Sequence, residues 1–306
     1  MKKSIINFLK LAVVLAAVLI TACNNGGKKD GASSTTNSSG ISDDSLLTLV
    51  QYQTFQYFWD GAEPNSGMAR ERLHVNGNYP QDDKNIVTTG GSGFGLMAIL
   101  VGIERGFITR EEALQRFQKI VGFLETADRF HGAWPHWLNG ETGKVKPFSQ
   151  YDDGGDLVET AFLVQGLLAV KQYFKDGNEA EKQLAQKIDQ LWREVVWDWY
   201  TKGGEDILYW HWSPNYDWKM DFGVTGYNEC MIMYILAASS PTHPIDPEVY
   251  HKGWAMEGDI SVEHTTFGQT LTLRHHVDPH KGGPLFWAHY SWLGLDPRGL
   301  TDQYAN

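Results

Sequence analysis

Tyr151-Asp152-Asp153-Gly154-Gly155-Asp156-Leu157-Val158-Glu159-Thr160 crowds acids around two glycines and then runs into the apolar segment Ala161–Val170. Its second half, Glu159-Thr-Ala-Phe-Leu-Val, has counterparts in Gly95-Leu-Met-Ala-Ile-Leu and Glu229-Cys-Met-Ile-Met-Tyr, whose first residues lie 64 and 70 positions away. Each opens an apolar helix. Between them fall the amphipathic stretches Thr109–Ala127 and Glu179–Tyr200, the second with charges on one face and Leu184, Ile188, Leu191, Val195 and Val196 on the other. A helix apolar all round is buried, and one with a charged face is on the outside. Alternating inner and outer helices joined by long loops predict an all-α toroid of helical hairpins. No convincing run of alternating strands is present, which argues against an α/β fold.

Other segments fit the same scheme. Asp43-Asp44-Ser45 precedes an N-capped amphipathic helix over Leu46–Trp59. Gly61–Asp83 reads as a long loop carrying Arg70, Glu71 and Arg72, either surface charges or ligand contacts. Ile86–Gly102 reads as a buried helix with a glycine-rich start; no Lys-Ser/Thr follows the glycines, so they form no phosphate loop. Thr109-Arg-Glu-Glu is a capping box. Gly226–Ala238 and Pro247–Met256 are predicted helical, Gly258–Gly283 irregular, and Pro284–Trp292 helical again.

The first residues carry an address rather than a fold. Met1-Lys2-Lys3 and Lys10 precede an apolar run from Leu11 to Ile20, and Ile20-Thr-Ala-Cys23 closes it: a signal peptide over 1–22 in its lipoprotein form, with Cys23 as the lipidated residue. The run is too short for a comfortable membrane span. Asn24–Ser45 is rich in Asn, Gly, Ser, Thr and Lys and reads as a tether, so the domains are expected as signal peptide 1–22, tether 23–44 and folded domain 45–306. Cleavage before Cys23 removes Lys2, Lys3 and Lys10 and takes the net charge from −11 to −14. Such an acidic exported chain is a poor partner for nucleic acid. With Cys230 the only other cysteine, no internal disulfide is expected. The expected location is an exported lipoprotein of the outer membrane, facing the periplasm or the cell surface, and the expected state is a monomer.

Asp156 and Glu159 have a plain explanation as an N-cap and its capping partner. That does not account for Asp152 and Asp153. If the helical register ran backwards, Asp152, Asp156 and Glu159 would share one side. Clustered carboxylates repel, so one should hold its proton near neutrality, as glycoside hydrolysis requires. Glu229 lies directly before an apolar run; it is either a dipole-stabilised structural acid or a desolvated general acid, and its match with Glu159 favours the second. Two aromatic loops add Trp134, His136 and Trp137, then Trp210, Trp212 and Trp218. Any one of these tryptophans could simply pack its loop; five together beside an acidic cluster point to sugar rings. His275-His-Val-Asp-Pro-His280 matches no common metal spacing, so no metal and no cofactor are expected.

Tyr151-Asp-Asp-Gly-Gly-Asp-Leu-Val-Glu-Thr, Gly226-Tyr-Asn-Glu, Gly282-Gly-Pro-Leu-Phe-Trp-Ala-His-Tyr-Ser and Leu295-Asp-Pro-Arg-Gly together resemble the glucoamylase-like domain of bacterial lipoproteins. More narrowly, they resemble glycoside hydrolase family 144, which includes endo-β-1,2-glucanases. The resemblance, from about Leu46 to the end, implies an (α/α)6 toroid and metal-free, inverting endo-hydrolysis of β-1,2-glucan. It points to Asp152, Asp156, Glu159 and Glu229 as active-site acids. Arg72, Asp153, Tyr227 and His289 join Trp134, His136, Trp137, Trp210 and Trp212 as candidate substrate contacts. Family members run past the position matching Asn306, so the ring is expected to be incomplete in this chain, with inner helices uncovered; the inverting base belongs either to the Asp152, Asp156 and Glu159 cluster or to the absent part. The alternative is a glycan-binding lipoprotein that uses the same groove without a working acid and base.

Overall fold

The computed structural model describes residues 40–274 and 283–304. The signal peptide, nearly all of the tether, Cys23 and the histidine-rich stretch from His275 lie outside the described residues. Seven α-helices lie within the unit that begins at Asp44, or at its edge: α1 (Asp43–Trp59), α2 (Thr89–Glu104), α3 (Arg110–Leu124), α4 (Leu157–Phe174), α5 (Glu179–Arg193), α6 (Met231–Ser239) and the short α7 (Pro247–Val249).

α4 is the hub. It packs against α2, α5 and α6, and α3 packs on α5 and α2. The core runs through these helices, from Leu96 and Ile99 on α2 through Leu163, Val164 and Leu167 on α4 to Met233 and Leu236 on α6. Apolar α2, α4 and α6 are therefore the inner helices, and α3 and α5 bury one stripe each, Ala113-Leu114-Phe117-Ile120-Val121-Leu124 and Leu184-Ala185-Ile188-Leu191. This is the helical, α/α-type arrangement expected.

Glycine sets the closest approach in that core. A Cβ on Gly93 would lie 2.0 Å from the carbonyl oxygen of Phe162, and one on Gly166 would lie 2.2 Å from that of Gly93. The glycines of α2 thus let two helical backbones touch, which outweighs their poor helix propensity.

Helix ends follow local chemistry. Thr109 accepts from Glu112 N at 3.2 Å while Glu112 Oε2 accepts from Thr109 N at 2.8 Å, the expected capping box. Asn178 and Glu181 form a second one before α5.

Several boundaries differ from expectation. α1 begins at Asp43, so the residues read as its cap sit in the first turn; Phe55 is its one buried residue, and Leu46, Leu47, Leu49 and Val50 are exposed. α5 stops at Arg193, and Trp197–Thr201 is a separate 3-10 turn closed by Lys202 at φ 54. The helix expected over Pro247–Met256 is one α-turn continued by a wide π-turn, Tyr250–Trp254. Pro284–Trp292 forms two 3-10 turns, Leu285–Ala288 and Tyr290–Trp292.

Strands are also present where none was expected. β1 (Ile86–Thr88), β2 (Trp137–Asn139) and β3 (Val145–Lys146) make an antiparallel three-stranded sheet, and β4 (Gly155–Asp156) pairs with β5 (His211–Trp212). β6 (Ser261–Thr266) and β7 (Gln269–Leu273) form a hairpin. Its turn, Phe267-Gly268, has φ of 50 and 76, the left-handed pair that a two-residue hairpin turn requires.

Candidate active site

The acidic stretch is not a helix extended backwards. Asp156 ends strand β4 in an extended conformation and caps α4, its Oδ1 accepting from Glu159 N at 2.9 Å. Gly154 and Gly155 are needed for this strand pairing: a Cβ on Gly154 would lie 2.1 Å from the Trp212 carbonyl oxygen, and one on Gly155 would lie 2.1 Å from the Tyr200 hydroxyl. Asp152 sits in the preceding turn, which is held by Phe148 N donating to Asp152 O. The shared helical side expected for Asp152, Asp156 and Glu159 therefore does not exist.

His136 brings the acids together instead. Its Nδ1 is 2.9 Å from Asp156 Oδ2 and 4.0 Å from Asp152 Oδ2. Trp210 Nε1 donates to the same Asp156 oxygen at 2.7 Å. Glu159 projects from the first turn of α4, and Gly90 N donates to its Oε2 at 3.0 Å. A Cβ on Gly90 would lie 2.3 Å from that oxygen, so the glycine-rich start of α2 also makes room for the carboxylate.

Glu229 arrives from another part of the chain. Cys230 caps α6, so Glu229 lies just before the helix rather than on it. Ser291 fixes this turn, donating to Glu229 O at 2.7 Å and accepting from Ile232 N at 3.1 Å. Glu229 Oε2 is buried and has no hydrogen-bond partner among the described residues.

Glu159 and Glu229 line one pocket of about 250 Å³, with His136, Trp210, Asn228 and Trp287 among its other walls. A larger apolar hollow beside α6 and Leu295–Asp302 contains none of these acids.

The electrostatics follow from burial and crowding. Burial, then the Asp156 charge, lifts Glu159 to about 7, against the pull of His136 and the Gly90 N–H. Burial and Asp156 do the same to Asp152, also to about 7. Burial raises Glu229, its own backbone N–H working the other way. Burial opposes a charge on His136, but the hydrogen bond and charge of Asp156, with Glu159 and Asp152 behind, lift it to about 9. The Tyr290 hydroxyl is raised by burial and by the charges of Glu159 and Glu229.

His136, Asp152 and Asp156 each offer one atom within 4.8 Å of the others, a spacing that could hold a cation. Two of those atoms already meet in the His136–Asp156 ion pair, and Trp210 occupies the same Asp156 oxygen, while neither Asp152 oxygen makes a hydrogen bond among the described residues.

The remaining candidate contacts are scattered. Trp134 is fully buried, its Nε1 donating to Leu124 O and the Arg129 guanidinium lying 4.1 Å from its ring. Asp153 is buried and binds Ser213 Oγ and Asn215 Nδ2, tying two loops together. Trp212 packs edge-on to His131. Tyr227 stands edge-on to Trp254. Arg72 is paired with Glu71 and sits 3.6 Å from Asp83. Trp137 packs on Phe148, which stacks on His136 at 4.2 Å, so it borders the pocket through those rings. His289 is exposed. None of these seven is a wall of the pocket that holds Glu159 and Glu229. The sequence reading passed over Gly90, His211 and Trp287. Trp287 lay inside a quoted motif; Gly90 and His211 had no local signal.

Paired carboxyl groups facing a tryptophan-walled pocket on a helical scaffold are the equipment of a glycoside hydrolase. Residues 221–306 match the family model described as "Putative glucoamylase". An endo-β-1,2-glucanase from Chitinophaga pinensis, solved with sophorotriose and glucose, is 67% identical with a TM-score of 0.85 over 87% of this chain and 63% of its own. A β-1,2-glucanase from Parabacteroides distasonis is 46% identical with a TM-score of 0.79, over 87% and 39%. An exo β-1,2-glucooligosaccharide sophorohydrolase (non-reducing end) of the same organism is 48% identical over 285 residues, 87% of this chain and 38% of that protein. The chain therefore spans less than two thirds of each of these relatives. Its resemblance to the glucoamylase-like β-1,2-glucanases, read first from four motifs, holds in sequence and in structure.

Proposed function

We propose that the protein hydrolyses β-1,2-linked glucan, within the chain and with inversion at the anomeric carbon. The observation that carries this reading is the shared pocket of Glu159 and Glu229, which come from different elements and both have raised proton affinities. Glu229, half-buried with a free oxygen, is the general acid that protonates the leaving glycosidic oxygen. Glu159, steadied by Gly90 N–H, takes a proton from the attacking water, which adds to the anomeric carbon as the C–O bond breaks. Asp156 holds His136 as an imidazolium, leaving its Nε2–H for a sugar hydroxyl. Trp210 and Trp287 supply apolar walls for the ring faces. The similarity to β-1,2-glucan hydrolases supports the linkage. The test is release of reducing ends from linear β-1,2-glucan beside β-1,3- and α-1,4-glucans. Release from the first alone is expected; binding without release would favour the glycan-binding alternative.

The pocket's proton affinities also set the pH response of stability. His136 titrates at about 9 in the fold against an ordinary 6.5, so its contribution is complete below 6.5 and is lost as the pH rises through about 9. Asp152 and Glu159 sit at about 7 in the fold, above the ordinary 3.8 and 4.5, so ionisation of the unfolded chain draws stability away between those values and about 7. In both cases the folded state holds more protons, and stability falls as the pH rises. The thermal midpoint should decline from about pH 5 to about pH 9; a rise between pH 6 and 9 would contradict these assignments.

We further propose export as a lipoprotein through Cys23, supported by the Ile20-Thr-Ala-Cys23 motif and the polar segment after it. Among the described residues no helix is long and apolar enough to cross a membrane. Cys23→Ser should move the protein from the membrane fraction to the soluble one; unchanged partition would sink the proposal.

A further inference from the structure

His211 has no part in the chemistry above, yet it is buried directly behind it. It lies on β5 opposite Asp156 on β4, with 2% of its surface exposed. Gly154 N donates to its Nε2 at 3.1 Å. A backbone N–H can only donate, so that nitrogen must present a lone pair. The ring is therefore neutral, with its proton on Nδ1.

Asp152 Oδ1 lies 3.3 Å from the same Nε2. Were Asp152 ionised, two lone pairs would face each other in a buried space. Were it protonated, the contact would be an O–H donating to nitrogen, shared with the Gly154 N–H. Among the described residues the two Asp152 oxygens make no hydrogen bond, the nearest cation, His136 Nδ1, is 4.0 Å away, and Asp152 is 1% exposed. A buried carboxylate without a hydrogen bond is more costly than a buried neutral acid.

We propose that His211 is a positioning residue whose Nε2 accepts the carboxyl proton of Asp152 and keeps that acid neutral behind the pocket. Asp152 faces Asp156 and His136, with Asp153 beside it in the chain; His211 faces Asp153, Asp156 and His136 as well as Asp152. With Asp152 and His211 neutral and Asp156 balanced by His136, Asp152 adds no negative charge beside Glu159. An ionised Asp152 would add one and hold the proton on Glu159 more tightly. That consequence for catalysis rests on the function proposed above. The protonation state does not, and the test reads it without substrate.

The experiment is a carbon-13 NMR titration of the wild-type aspartate side-chain carboxyls, assigned through bonds from the backbone resonances, together with the nitrogen-15 shifts of His211. Wild type should show Asp152 titrating near neutrality and His211 as the Nδ1–H tautomer. Asp152 titrating in the ordinary carboxylate range, or His211 as the Nε2–H tautomer or the imidazolium, would overturn the proposal; this holds even if no variant folds. His211→Phe removes the acceptor and frees the Gly154 N–H to bind a carboxylate. Both changes favour ionisation, so the Asp152 midpoint should fall by about one unit, a tenfold change in proton affinity. His211→Gln returns an acceptor near the Nε2 position and should restore the midpoint. A midpoint that is the same in wild type and in folded His211→Phe would show that His211 does not hold the proton.

Discussion

Glu229→Gln should abolish turnover while leaving glucan binding within a few-fold of wild type. A positioned general acid contributes about 10²–10⁴-fold to rate, and the amide keeps the shape and hydrogen-bonding capacity of the acid without a proton to give. The buried Glu229 Oε2 makes no hydrogen bond among the described residues, so the loss should fall on kcat and leave the thermal midpoint nearly unmoved. Measured side by side, reducing-sugar release and calorimetric binding of a β-1,2-glucooligosaccharide separate these effects. Turnover at a tenth of wild type or better would remove Glu229 from the acid's role and point to Glu159.

Asp156→Ala should have the largest effect on the fold. The residue is fully buried and ties His136, Trp210 Nε1 and the first turn of α4 to one carboxylate. Its removal leaves a half-buried imidazolium and an indole N–H without this partner and deletes the cap. Breaking a buried pair from one side typically costs about 3–5 kcal/mol, and a lost N-cap about 1 kcal/mol; these overlap rather than add. Thermal unfolding should show a drop of many degrees. Asp156→Asn should fall less far, since its one amide oxygen can still accept from Glu159 N, but its Nδ2 cannot accept from Trp210, and His136 should return toward its ordinary titration range. An Asp156→Ala protein as stable as wild type would mean that the His136 pair contributes nothing net.

The helical architecture was legible because it rests on periodicity. The three apolar segments at matching positions became the inner helices, and the charged faces of Thr109–Ala127 and Glu179–Tyr200 became outer surface. What could not be read was geometry set by distant contacts. Gly154 and Gly155 serve a strand pairing with His211–Trp212, more than fifty residues away. The hairpin Ser261–Leu273 was missed because its turn is Phe-Gly rather than Asn-Gly. At the site, the grouping of Asp152, Asp156 and Glu159 was anticipated, but for the wrong reason: a side chain from the Trp134–Trp137 loop joins the acids, not a common helical face. Trp134 and Asp153 looked like ligand contacts and are packing and loop-tying groups, a distinction that burial alone reveals.

The most direct test is to follow hydrolysis of linear β-1,2-glucan by proton NMR and read the anomer that appears first. Inversion at a β-linkage predicts that the α-anomer of the new reducing end is formed before mutarotation supplies the β-anomer, with fragments of intermediate length from cuts inside the chain. The β-anomer appearing first would show retention and require a nucleophile in place of the Glu159-directed water. Cleavage of another glucan while β-1,2-glucan stays intact would contradict the account outright.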